Sequence, residues 1–168
     1  MKHLFLLFLT NMQHQKTYTV EEATRALENY CAYQERCHKE VEQKLYDLKM
    51  IPEAKEHILL HLMQHNFLNE ERYAKSFVRG KFTIKKWGKI KIINELKFRN
   101  ISAYNIKTAL KEINEDDYYT TLKTIAIKKE ALIKESNSFK KRNKLSTFLI
   151  SKGYENTLVF EVVKELIK

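Results

Sequence analysis

The stretch KIKIINELKFRNISAYNIKTALKEI, residues 89–113, decides the fold. Ile92 and Leu96 lie four apart, and Ala109, Leu110 and Ile113 follow at steps of one and three, so each set lines one face of a helix. Ile101 stands between the two sets, followed by Ser102, a residue suited to capping the helix that begins there. The stretch therefore reads as a helix, a short turn and a second helix packed against the first.

The same spacing occurs twice more without a gap. At offsets of −9, −5, 0, +8, +9 and +12 about Met50 stand Val41, Leu45, Met50, Ile58, Leu59 and Leu62. About Tyr154 stand Leu145, Leu149, Tyr154, Val162, Val163 and Leu166. Every one is apolar or aromatic, and the central residues are 51 and 53 positions apart. Turn chemistry agrees: Pro52 can open a helix, Ser102 can cap one, and Gly153 supplies a left-handed helix end.

A further amphipathic segment precedes each pair. Its stripe is Ala23, Ala26, Leu27, Tyr30 and Cys31 in the first copy and Tyr73, Phe77 and Ile84 in the second. In the third it is Tyr118, Leu122, Ile125, Ala126, Leu132 and Ile133. Asn69 and Asn114 read as N-caps, with acids just after them that suit the positive helix end. The expectation is an all-α protein of three tandem three-helix repeats, stacked as a short, elongated and curved solenoid because one such unit buries too little alone. The boundaries expected are an extension at 1–19, then repeats at 20–68, 69–114 and 115–168.

Composition supports helices over sheets. Among 168 residues, 43% are hydrophobic and 31% charged, which excludes disorder, and 3 Gly with 1 Pro are too few for turn-rich sandwiches or phosphate loops. Cys31 and Cys37 have neither the number nor the spacing of a disulfide framework and read as small packing residues in a reducing compartment. The apolar run Leu4 to Leu9 is too short for a secretion signal or a membrane span, and Met12 offers a second start, so the cytoplasm is the expected location.

The net charge of +10 is concentrated. Residues 69–114 carry 12 Lys/Arg against 4 Asp/Glu, whereas residues 1–68 carry 8 against 9. Such a field attracts phosphate backbones or an acidic protein groove. The sequence offers no nucleotide-binding loop, no zinc spacing and no nucleophile elbow. His57, His61 and His65, four residues apart, read as a polar outer stripe, since Ile58, Leu59, Leu62 and Met63 mark the buried face. Trp87 between Lys86 and Gly88 has two readings, a platform for a base or an anchor for packing between neighbours.

The segments FLNEERYAKSFVRGK at 67–81 and WGKIKIINELKFRNI at 87–101 closely resemble the central motif of the RecX family of bacterial recombination regulators. Tyr33, Glu35, Arg36 and Lys44–Leu45 resemble that family's opening motif, and Lys152–Gly153–Tyr154 its lysine-glycine-aromatic turn. That pair is replaced by Leu48–Lys49 in the first unit and by Arg99–Asn100 in the second. The resemblance covers about residues 20–168. It implies a non-enzymatic regulatory protein, without a cofactor, that binds the RecA filament on single-stranded DNA and inhibits its ATP hydrolysis and strand exchange during recombination, DNA repair and the SOS response. A monomer with no membrane association is expected. The contact surface expected is Arg72, Arg79, Lys81, Lys85, Lys86, Trp87, Lys89, Lys91 and Arg99, with Tyr73, Phe77 and Leu96 in the core. The rival reading is a stand-alone basic helical protein that binds DNA or RNA.

Overall fold

The computed structural model describes residues 17–168, so the expectations for Leu4 to Leu9 and Met12 lie outside the described residues. Among the described residues there are nine helices and no strand. In chain order they are α1 (Val20–Tyr33), α2 (His38–Asp47), α3 (Pro52–Gln64), α4 (Glu70–Thr83), α5 (Lys89–Phe98), α6 (Ala103–Leu110), α7 (Glu115–Glu130), α8 (Ser138–Ser151) and α9 (Asn156–Leu166). The repeated pairs are α2–α3, α5–α6 and α8–α9, each preceded by one further helix.

Local chemistry sets the boundaries. Thr19 caps α1 through a reciprocal box with Glu22, and Asn69, Ser102, Asn114 and Asn137 accept from the first amides of α4, α6, α7 and α8. Pro52 opens α3, where its missing N–H costs nothing.

The turn inside each pair is the same motif built three times. The amides of Met50, Ile101 and Tyr154 donate to the carbonyls of Leu45, Leu96 and Leu149 at 3.1, 3.1 and 3.4 Å. The preceding amides, of Lys49, Asn100 and Gly153, donate to Tyr46, Lys97 and Ile150. Those preceding residues hold φ of 56°, 60° and 93°, the left-handed helix end of a Schellman turn. Asparagine and lysine thus adopt in two copies what glycine adopts in the third.

The chain divides into two compact units. The first takes in residues 17–34 with Glu40–Leu68, and its core is Ala23, Leu27, Cys31, Val41, Leu45, Ile58, Leu62 and Leu68. The second takes in Glu35–Lys39 with Asn69–Lys168, so the two repeats after residue 68 share one core that also receives Cys37. Of the aligned repeat positions, Met50, Leu59, Leu110 and Leu166 are half-buried and all the others are buried. Both cysteines are buried.

Two stripe positions depart from expectation. Ile84 is 76% exposed because α4 ends at Thr83 and its last inward residue is Phe82, which meets the Tyr118 ring at 5.9 Å. Leu132 is 74% exposed because α7 stops at Glu130, so the helical phase that predicts its burial no longer applies. Tyr73 and Leu96 are buried as expected, and Phe77 is half-buried against the core. In the first unit His61 Nε2 meets Glu28 Oε1 at 2.7 Å and its ring lies 4.2 Å from that of His65, while His57 is exposed, and so is Met63, which the sequence pattern assigns to the buried face. Among the described residues no His, Cys, Asp and Glu group could hold a metal ion, and no helix is long and apolar enough to cross a membrane.

Candidate functional site

The basic residues of the second unit divide into those already paired and those left open. Arg72 Nε donates to Glu35 Oε1 at 2.5 Å, tying the 35–39 segment to α4. Arg79 pairs with Glu112 at 3.0 Å, and Arg99 donates to the carboxylate and carbonyl of Glu95 at 2.6 and 2.7 Å. Lys89 reaches both oxygens of Glu115, lies 4.5 Å from the Tyr118 ring centre and is largely covered. Among the described residues Lys81, Lys85, Lys86 and Lys91 have no carboxylate within ion-pair distance, and they form the open part of the expected surface.

These open amines are organised by aromatic rings. Lys81 sits over Phe77 at 5.0 Å and over Trp87 at 5.1 Å, Lys91 sits over Trp87 at 4.6 Å, and Arg99 sits over Phe77 at 5.0 Å. The result is a row running Arg99, Phe77, Lys81, Trp87, Lys91, with each ring between two cations. Cation–π attraction of about 0.5–1 kcal/mol or somewhat more at such half-buried positions holds the cations in place. Trp87 itself is half-buried against the core, so its ring serves packing and carries charge at once. Lys85 and Lys86 project from the linker between α4 and α5 and are exposed.

That linker is fixed by the turn between α8 and α9. Gly88 N–H donates to the Lys152 carbonyl at 2.9 Å and Ile90 N–H to the Gly153 carbonyl at 3.0 Å. The first amides of α5, which have no partner within their own helix, thus find one in the third repeat. The backbones meet so closely that a Cβ on Gly88 would lie 2.2 Å from the Gly153 carbonyl, and one on Gly153 would lie 2.3 Å from Lys91 Cβ. Two of the chain's 3 glycines are used in this one joint.

Two buried tyrosines lock it. The Tyr118 hydroxyl accepts from Lys89 N–H at 2.9 Å and donates to Glu155 at 2.7 Å, and the Tyr154 hydroxyl donates to the Lys86 carbonyl at 3.3 Å. Their rings are 5.1 Å apart, and burial pushes both hydroxyls well above the usual phenol range.

The row of cations and rings continues into the third repeat, which sequence reasoning left out of the site. Lys91 Nζ reaches the Ser151 carbonyl at 3.5 Å, and Lys152 Nζ reaches the Lys85 carbonyl at 3.5 Å. Phe148 carries Lys129 over its ring at 5.0 Å and Lys152 at 5.8 Å. The available signal was Lys152 beside Gly153 in the turn motif, together with the Lys128–Lys129 pair at the end of α7.

Comparison with known proteins places these observations. The RecX second three-helix domain matches residues 69–110 and the RecX third three-helix domain matches residues 115–163. A regulatory protein RecX of Clostridium acetobutylicum is 29% identical over 135 residues, 78% of this chain and 62% of the relative. Another, of Clostridium botulinum (strain Eklund 17B), is 30% identical over 149 residues, 88% of this chain and 68% of the relative. The crystal structure of RecX from Lactobacillus salivarius superposes with a TM-score of 0.77 at 26% identity, covering 88% of this chain and 96% of that one. The chain therefore spans about two thirds of the length of these curated relatives, and less than two thirds of the first.

Proposed function

This chain belongs to the RecX family, and on that premise we propose that it is a cytoplasmic, monomeric regulator without catalytic activity that binds the RecA filament on single-stranded DNA and slows its ATP hydrolysis and strand exchange. The observation that carries the reading is the group of four lysines, Lys81, Lys85, Lys86 and Lys91, left without carboxylates beside Phe77 and Trp87. Unpaired cations on a fixed face attract the polyanion inside a nucleoprotein filament and accelerate encounter. The paired residues Arg72 and Lys89 serve mainly to position that face. Regulation of homologous recombination and DNA repair follows from such binding.

The test is RecA-dependent ATP hydrolysis on single-stranded DNA, titrated with this protein, beside gel shifts on the same DNA without RecA. Inhibition at ratios too low to coat the DNA supports filament regulation. Inhibition only at DNA saturation, equal for an unrelated DNA-dependent ATPase, refutes it and favours a stand-alone nucleic-acid binder, which the same lysines would serve. Lys85→Glu with Lys86→Glu should weaken inhibition without loss of helicity, because both side chains are exposed and neither is in an ion pair.

A further inference from the structure

A groove of about 550 Å³ opens in the third repeat. Lys129 at the end of α7, Ile133 and Lys134 in the linker after it, and Lys144, Thr147 and Phe148 of α8 line it. No carboxylate lines it, and it is open to solvent along its length. We propose that this groove docks an acidic peptide segment bearing an apolar side chain.

Charge complementarity comes first. Lys129, Lys134 and the adjacent Lys152 have no ion-pair partner among the described residues, whereas Lys144 is held by Glu135 at 2.8 Å. Three open ammonium groups thus surround an apolar floor of Ile133 and Phe148. The floor decides between classes of polyanion. A nucleobase needs a free aromatic face to stack on. Phe148 is half-buried against the core on one side and carries two ammonium groups over its ring, so a base finds no open face. An aliphatic side chain needs only contact with Ile133, the Thr147 methyl and the lysine stems, while flanking carboxylates meet the amines. Lys144, Thr147, Phe148 and Ser151 follow at steps of three, one and three along α8, a rise of about 10 Å that matches about three extended residues.

The inference does not rest on the recombinase reading, and its test contains no recombinase. The probe is a fluorescein-labelled peptide of glutamates flanking two leucines, followed by anisotropy against the full chain. A matched peptide with the leucines replaced by serine and a labelled oligothymidylate run beside it. The leucine peptide binds saturably, the serine peptide binds about tenfold more weakly, and Lys134→Glu with Thr147→Glu weakens the leucine peptide by about tenfold or more. Lys107→Glu, at an exposed position of α6 that does not line the groove, leaves peptide binding unchanged. Both groove substitutions are at exposed positions, and circular dichroism checks that the helices persist. Three results each overturn the proposal: no saturable peptide binding, binding insensitive to the groove variant, or oligothymidylate binding that the groove variant abolishes and that displaces the peptide.

Discussion

Replacing Gly88 with alanine should separate the second and third repeats where they are joined. The added Cβ would stand 2.2 Å from both the carbonyl carbon and oxygen of Gly153 and 2.4 Å from Tyr154 N. Carbon contacts settle near about 3.5–4 Å, so the backbones must part by more than about 1 Å. That movement breaks the Gly88 to Lys152 and Ile90 to Gly153 hydrogen bonds, worth about 1 kcal/mol each, and loosens the packing around Tyr154. A total of about 3 kcal/mol follows, and with a urea dependence of about 1.5 kcal/mol per M the unfolding midpoint of the second unit falls by about 2 M. Trp87, the chain's 1 tryptophan, borders the joint, so its fluorescence reports this transition during urea titration. Gly80→Ala is the control. Its Cβ would meet nothing within 4 Å and it lies inside α4, so it should stabilise by about 0.5–1 kcal/mol. Equal stability of Gly88→Ala and the parent, or equal loss in both variants, would refute the reasoning.

Further outcomes follow from other parts of the structure. Lys49→Gly should stabilise the first unit by about 0.5–1 kcal/mol, because glycine removes the strain at φ 56° but costs unfolded-state entropy, as a thermal melt will show. Burial raises the hydroxyls of Tyr118 and Tyr154 above the ordinary value of 10.0, so their stabilisation is complete below about pH 10 and is lost as pH rises above it. Urea midpoints at alkaline pH should therefore fall, and a Tyr118→Phe, Tyr154→Phe double variant should flatten the fall. If Lys85 and Lys86 each contact one phosphate, replacing both with alanine should reduce the salt slope of single-stranded DNA binding by about 1.4. An unchanged slope would move the phosphate contacts elsewhere.

The periodicity of 89–113 and its two copies made the helix pairs legible, and the caps Asn69, Ser102 and Asn114 fixed three of the helix starts. These are local signals, carried by residues one helical turn apart. Ile84 and Leu132 were misread because periodicity carries no mark of where a helix stops. The cluster of positive charge was visible, but which members are neutralised was not. Arg72 finds Glu35, 37 positions away, and Lys89 finds Glu115, 26 away, and no local pattern encodes such pairings. The groove around Phe148 escaped for the same reason, since α7, the linker and α8 must fold before it exists.

The cations seated over Phe77, Trp87 and Phe148 differ in one thermodynamic respect from ordinary surface lysines. A free lysine carries about 2 kcal/mol of rotamer entropy, and an anion that immobilises it must offset that loss. Lys81, Lys91 and Lys129 have given up part of that freedom already, during folding. An arriving polyanion meets charges whose separations are set in advance, so the face rewards anionic groups at matching intervals and gains little from dense negative charge spaced otherwise.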